Sequence, residues 1–323
     1  MGYAVRADPG GREGSSVAPP KRDVIRLIDT VAAKSDARSR KRQKARKLTH
    51  RPNRVFELVR AIFRWAVGRD LLRVDPTSGL SPPIKRPRER DLSEAEIKTL
   101  WEALGKSPVL RRTTKGAKRG SRVVSDTDLP MTRAIALTLK LALVTGQRIS
   151  EVAGIALSEL DINDTAPLWT VPRERSKNGH PNRVPLSPLA VLLVKEVRDL
   201  APDSDWLFPG VAGNGPIDAH APTKALERAR AVIGLDDFRV HDLRHTAATR
   251  MAEMGINPHT ISLILNHVST RRGTVTGKVY NQYSYDREKR EALRSWGARL
   301  EEILAGRECA RVVSIASGTA ASA

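Results

Sequence analysis

The chain has 323 residues, room for two ordinary domains and a substantial core. Its 56 Lys and Arg against 36 Asp and Glu leave a net charge of +20, spread along the whole length, which points to a polyanionic partner, nucleic acid first. The single cysteine, Cys309, excludes an internal disulfide framework and a Cys-rich zinc site. No apolar run reaches the ~18 residues of a membrane helix, and Met1 to Pro20 lacks the apolar core of a signal peptide. A soluble, intracellular protein is expected.

Residues 1–20 are rich in Gly, Pro and Ser and read as a disordered lead. Val24, Ile25, Leu27, Ile28 and Val31 predict a short amphipathic helix over Lys21 to Lys34. Arg38 to Arg54 carries nine Lys or Arg and no acid, either a solvated face or a phosphate contact. Pro52 opens a second helix whose Val55, Leu58, Val59, Ile62, Phe63 and Ala66 fall at helical spacing, widened by Trp65 and Val67 and ending near Gly68. The prolines and glycine of 76–91 predict a domain linker.

Ser93 followed by Glu96 is a capping-box signal for a helix through Leu104. Residues 106–128 are polar and basic, a flexible loop or a DNA-facing insertion. Pro130 begins an apolar helix that Gly146 stops. Strands at Trp169–Val171 and Val184–Leu186 flank Ser176-Lys177-Asn178-Gly179, where Asn-Gly signals a hairpin turn. Helices follow at Pro188–Leu200, Pro222–Ile233, His241–Met254, Pro258–Asn266 and Asp286–Leu304, with a small, polar tail after Ala305. The pattern is mainly α with a small β-hairpin, without internal repeat or Gly-rich phosphate loop. His241 and His245 are four apart, but Asp242 stands where a zinc protease motif needs Glu.

Four segments stand out if nucleic acid is the partner: Thr145 to Glu151 with Arg148 after a Gly break, Ser176 to Gly179 with Lys177, His241 to Thr246 with Arg244, and Leu265 to Tyr280 with His267. Each alone has an ordinary explanation. An Arg at a helix start is commonly a surface charge, a Lys beside a turn is commonly solvated, and a His after Leu-Asn can cap or pack. Their order is less readily accidental. Arg, Lys in a hairpin, His-x-x-Arg, His and a late Tyr resemble the tyrosine recombinase family of phage-type integrases. Leu141 to Asp161, Val184 to Ser187, His241 to Arg250 and Asn281 to Leu300 extend the likeness, which covers roughly residues 21–305.

The resemblance implies a catalytic domain over 92–305 preceded by a partial helical core-binding domain over 21–75, with 306–323 as a disordered tail. It implies a site-specific DNA recombinase that integrates or excises a mobile element, as in a prophage. Tyr280 would attack a scissile phosphate, form a 3′-phosphotyrosyl link and release a 5′-hydroxyl. Arg148 and Arg244 would bind the nonbridging oxygens with planar, permanently charged forks. Lys177 would protonate the departing oxygen, His241 would assist proton transfer and His267 would hydrogen-bond the phosphate. The covalent link conserves the phosphodiester's free energy, so no cofactor or metal is implied. Partners would be double-stranded DNA at attachment sites, further copies forming a homotetramer, and accessory directionality or DNA-bending factors, with no membrane and a cytoplasmic, nucleoid-associated bacterial location. Tyr283 and Tyr285 stay as alternatives to Tyr280. Glu151 reads as orienting its helix, His245 as buried beside His241, and Trp101, Trp169, Trp206 and Trp296 as core.

Two departures qualify the likeness. Lys21 to Asp75 matches only the later part of a core-binding domain and no arm-binding domain is visible, so a shortened copy is expected in preference to a compact integrase. Asn266 stands where the family more often has Gly. The rival readings are a truncated, non-recombining DNA-binding relic and a type IB topoisomerase.

Overall fold

A computed structural model of the chain describes residues 19–40, 50–82, 90–108, 129–211, 213–235, 237–267 and 283–307, without the side chains of 34–40, 50 and 51. Contacts divide the chain into one unit up to Arg88 and another from Glu89. No helix among the described residues is long and apolar enough to cross a membrane.

In the first unit, α1 (Lys21–Arg40) packs on α2 (His50–Val67). Val24 and Ile28 of α1 and Phe56 and Ala66 of α2 are buried. Helix α1 runs six residues past the predicted end at Lys34, because Ala and Arg sustain a helix on propensity where apolar periodicity has stopped. Leu58, Ile62 and Trp65, predicted on the apolar face of α2, are exposed instead; a unit this small has too little surface to cover a second stripe. Asp75 to Leu80, where the linker was expected to begin, fold into successive turns: the Asp75 carboxylate accepts from the Thr77 amide (2.8 Å) and hydroxyl (2.6 Å), and Arg60 of α2 donates to the Leu80 carbonyl.

The second unit is built around α4 (Arg133–Thr145), every residue of which is buried from Ala136 to Thr145. Around it pack α3 (Glu94–Gly105), the short α5 (Ile149–Ala153), α6 (Pro188–Leu200), α7 (Ala221–Ile233), α8 (Val240–Glu253) and α10 (Asp286–Leu304), the last helix among the described residues. Short α9 (Pro258–Ile264) lies against α8 and α10. Both halves of the predicted capping box are made: the Glu96 amide donates to Ser93 Oγ, and the Ser93 amide to Glu96. Trp169 and Trp296 are fully buried, and the Trp296 indole donates to the Leu143 carbonyl (3.1 Å). Trp101 instead carries the buried Lys140 ammonium over its ring at 4.5 Å.

Among the described residues the sheet has three antiparallel strands, in the order β1 (Leu160–Asp161), β2 (Leu168–Val171) and β3 (Asn182–Pro185). The pairing Val171 with Asn182 leaves a ten-residue connection, not a two-residue Asn-Gly hairpin. Asn178 and Gly179 instead complete a turn closed by the Gly179 amide on the Ser176 carbonyl (2.9 Å), with Gly179 at φ +64°. Strand β3 is clasped to α10 by the Arg183–Asp286 ion pair (2.6 Å) and by Lys289, which donates to the Arg183 carbonyl. The arrangement is mainly α with a small sheet, as the pattern predicts.

Candidate active site

Helix α4 ends at Gly146, whose φ of +67° suits a residue without a Cβ. The next turn delivers Arg148 as the residue that precedes α5. Glu151, buried three residues on, accepts the Arg148 amide (3.2 Å) and its guanidinium (3.0 Å). Glu151 therefore holds both the helix start and the arginine fork, as its spacing predicts. Asp242 plays the same capping part for α8, accepting from the Arg239 amide (2.9 Å).

Arg244 lies on the first turns of α8 and is 5% exposed. Its guanidinium donates to the carbonyls of Gly146 (3.0 Å) and Leu265, bridging the end of α4 to the end of α9. Burial, then the neighbouring Arg148, pulls its pKa down to about 10, with Glu151 opposing. It remains a cation at neutral pH, held beside another cation. His241 is pushed below the ordinary histidine value by loss of water on its packed side, then by His245, Arg244 and Arg148, against Asp242. His245 meets His241 edge-on at 4.8 Å but is exposed, which corrects the expectation of a buried neighbour. One turn of helix separates the two rings, so both sit on the solvent side of α8.

Helix α9 stops through Asn266, whose φ is +51°. The His267 amide reaches back to the Ser262 carbonyl (3.0 Å), the closure of a Schellman motif. The position calls for a left-handed residue, which explains why Gly is an alternative there and why Asn is tolerated. Asn266 adds what Gly cannot: its amide donates to Ser176 Oγ (3.0 Å) and the His180 carbonyl (3.2 Å), while Asn178 donates to its carbonyl. The turn carrying the exposed Lys177 is thus fastened beside His267. Burial first, then Arg244, Arg148 and His245, lowers the His267 pKa.

The fold brings Arg148, His241, Arg244 and His267 into one electrostatic neighbourhood and ties the Lys177 turn to it. Tyr280 lies outside the described residues. Of its alternatives, Tyr283 donates its hydroxyl to Glu288 (3.3 Å), and its pKa is raised by desolvation and then by that carboxylate, opposite to a nucleophile's need. Tyr285 starts α10 at φ +54° and stacks edge-on with His259 and Tyr283.

Sequence reasoning missed the buried amides behind this surface. Gln147 Nε2 donates to the carbonyls of Thr145 (2.9 Å) and Ile264 (3.0 Å), and Asn182 donates to Gln147 (3.1 Å) and Ile264 (3.2 Å). Neither has a local signal: Gln147 sits between Gly146 and Arg148, and Asn182 between Pro181 and Arg183.

A phage integrase family model matches residues 123–287, half of the chain and all of this site. The chain belongs to the phage integrase family. Among curated members, the tyrosine recombinase XerC of Corynebacterium efficiens is 29% identical over 234 residues, covering 71% of this chain and 66% of that one. The prophage integrase IntZ of Escherichia coli K12 is 28% identical over 267 residues, covering 82% of this chain and 57% of IntZ. The chain thus spans about two thirds of the first relative's length and less of the second. Among solved structures, a lambda integrase (75–356) dimer bound to a COC′ core site shares the fold, with a TM-score of 0.56 and 17% identity over 79% of this chain and 81% of that one.

Proposed function

We propose that the chain is a site-specific DNA recombinase that integrates or excises a mobile element by cutting and rejoining DNA through a 3′-phosphotyrosine. The observation that carries this is the convergence of Arg148, Arg244, His241 and His267 where the ends of α4 and α9 meet α8: cations and titratable rings press on one another, opposed among the described residues by Glu151 and Asp242. A phosphate between them would replace repulsion by attraction and by charge-assisted hydrogen bonds. Family membership and the DNA-bound lambda integrase neighbour support the same chemistry.

In this reading the Tyr280 oxygen attacks phosphorus and the bond to the 5′-oxygen breaks. The phenolic proton passes to a base, with His241 assisting, and Lys177 delivers a proton to the leaving 5′-oxygen. Arg148, Arg244 and His267 hold the nonbridging oxygens as charge gathers there. The 5′-hydroxyl of a second strand then attacks the phosphotyrosine and releases Tyr280, which restores the phosphodiester count without an added energy source. The unit from Glu89 is the catalytic one, over 92–305, and residues 21–75 form a partial core-binding domain joined by the 76–91 linker. Double-stranded attachment-site DNA is the substrate, a homotetramer on that DNA is the working assembly, and the cytoplasm, on the nucleoid, is the location.

A nicked suicide duplex tests this, its core sequence chosen by selecting tightly bound duplexes from a randomised pool. A covalent protein–DNA band that vanishes in Tyr280→Phe is expected. Shifted DNA with no covalent band from the unaltered protein would overturn the enzymatic reading.

A further inference from the structure

Arg175 has no part in the chemistry just described, yet it makes more directed contacts than any residue of the turn that carries Lys177. Its guanidinium forks onto Glu159, Nε to Oε1 at 2.7 Å and Nη2 to Oε2 at 2.6 Å. Glu159 is itself fixed by the indole of the fully buried Trp169 (3.0 Å). The remaining nitrogen, Nη1, donates to the Glu151 carbonyl (3.2 Å). Glu151 is the residue whose carboxylate holds the Arg148 fork.

Helix α5 has five residues, far below the length at which a helix persists unaided, and its last carbonyls have no partners within it. Glu151 satisfies its beginning and Arg175 its end. The backbone around Arg175 is fixed as well: the amides of Arg175 and Ser176 both donate to the Pro172 carbonyl (3.2 and 3.1 Å), immediately before Lys177. Room for the guanidinium comes from Gly154, where an added Cβ would lie 2.6 Å from Nη1. Gly154 has an ordinary negative φ, so the missing side chain there serves space and not backbone conformation.

We infer that Arg175 is a positioning residue that sets Lys177 against Arg148, so that proton delivery to the leaving oxygen occurs in register with phosphate binding. The inference rests on the recombinase reading. A lysine at 175 keeps the charge but cannot reproduce a fork with a third donor. The consequence is specific: loss of the brace impairs leaving-group protonation and leaves DNA affinity nearly intact. A 5′-bridging phosphorothiolate separates this from general damage, because a thiolate leaves without needing a proton.

The test measures cleavage of the selected suicide duplex, with bridging oxygen and with bridging sulfur, by the unaltered protein, Arg175→Lys and Gly154→Ala. Both variants are expected to bind DNA normally and to cleave the oxygen substrate about 10- to 100-fold more slowly. The sulfur substrate restores most of that loss. A loss that sulfur does not restore, or no loss at all, overturns the inference while leaving the recombinase reading intact. Gly154→Ala reports the same displacement should Arg175→Lys fold poorly. If the unaltered protein cleaves neither substrate, the recombinase reading itself falls. Hydrogen exchange at the Gly179 amide then decides whether Arg175 holds the turn: faster exchange in Arg175→Lys supports the brace, and unchanged exchange overturns it.

Discussion

Arg244 carries two duties that pull in the same direction. Its buried fork satisfies the Gly146 and Leu265 carbonyls, and its charge makes the site attractive to an anion. Arg244→Lys cannot serve both carbonyls with one ammonium, so one buried acceptor is left without its donor. The expected loss is about 1–3 kcal/mol in denaturant unfolding, with cleavage falling more steeply than DNA binding in a gel assay. The histidines add a pH dependence whose sign follows from their lowered pKa. In the unfolded chain they titrate near 6.5 and in the folded protein below it, so in that interval the unfolded state binds more protons. Stability is therefore full above pH 6.5 and declines as the pH falls through the folded values. Thermal midpoints followed across that range should show the decline, flattened in His267→Asn; an identical slope in the variant would remove His267 from the account.

At the scale of elements, what local chemistry dictates was legible. The Ser93–Glu96 box, the Gly146 stop, and the bounds of α6 and α10 all follow from residues within a few positions of one another. Arg148, Lys177, His241, Arg244 and His267 were singled out by a resemblance carried in their order along the chain, and the structure places Arg148, His241, Arg244 and His267 in one electrostatic neighbourhood. What was not legible depends on partners far along the chain. Gln147 and Asn182 meet across 35 residues, and Asn266 reaches Ser176 across 90. Nothing near Asn182 indicates that its amide faces a helix end. Strand β1 is two residues long and exists because β2 lies beside it, and the ten-residue β2–β3 connection overrode the Asn-Gly signal because Val171 pairs with Asn182. Gly146 gives a prediction at this scale. A Cβ there would find ordinary contact distances of 3.5 and 3.6 Å to Leu265 and Ala247, so crowding is not the obstacle. The positive φ is, and Gly146→Ala should cost about 1–2 kcal/mol in urea unfolding. A neutral substitution would show that the turn can relax without its left-handed residue.

Over the whole molecule the dominant quantity is +20. Phosphate contacts release condensed counterions, so log K for duplex DNA should fall linearly with log salt, with a slope of about −0.9 for each phosphate neutralised. Titrating binding between low and moderate salt measures that number, and a flat response would contradict a phosphate-dominated interface. Most of the basic stretch 106–128 and residues 41–49 of the basic run Arg38 to Arg54 lie outside the described residues, so truncating each in turn would apportion the slope between the two units.

Helix α4 has one further consequence. Its start is pinned where Arg133 donates to Glu196 (2.6 Å) and to the carbonyls that end α3, and its finish is pinned at Gly146, with neighbours packed around the stretch between. Each helical residue advances the chain by about 100°. A single inserted or deleted codon between those anchors would swing Arg148 about a quarter turn away from Arg244. The helix therefore works as a gauge of fixed length, and viable length variation should be confined to segments outside it.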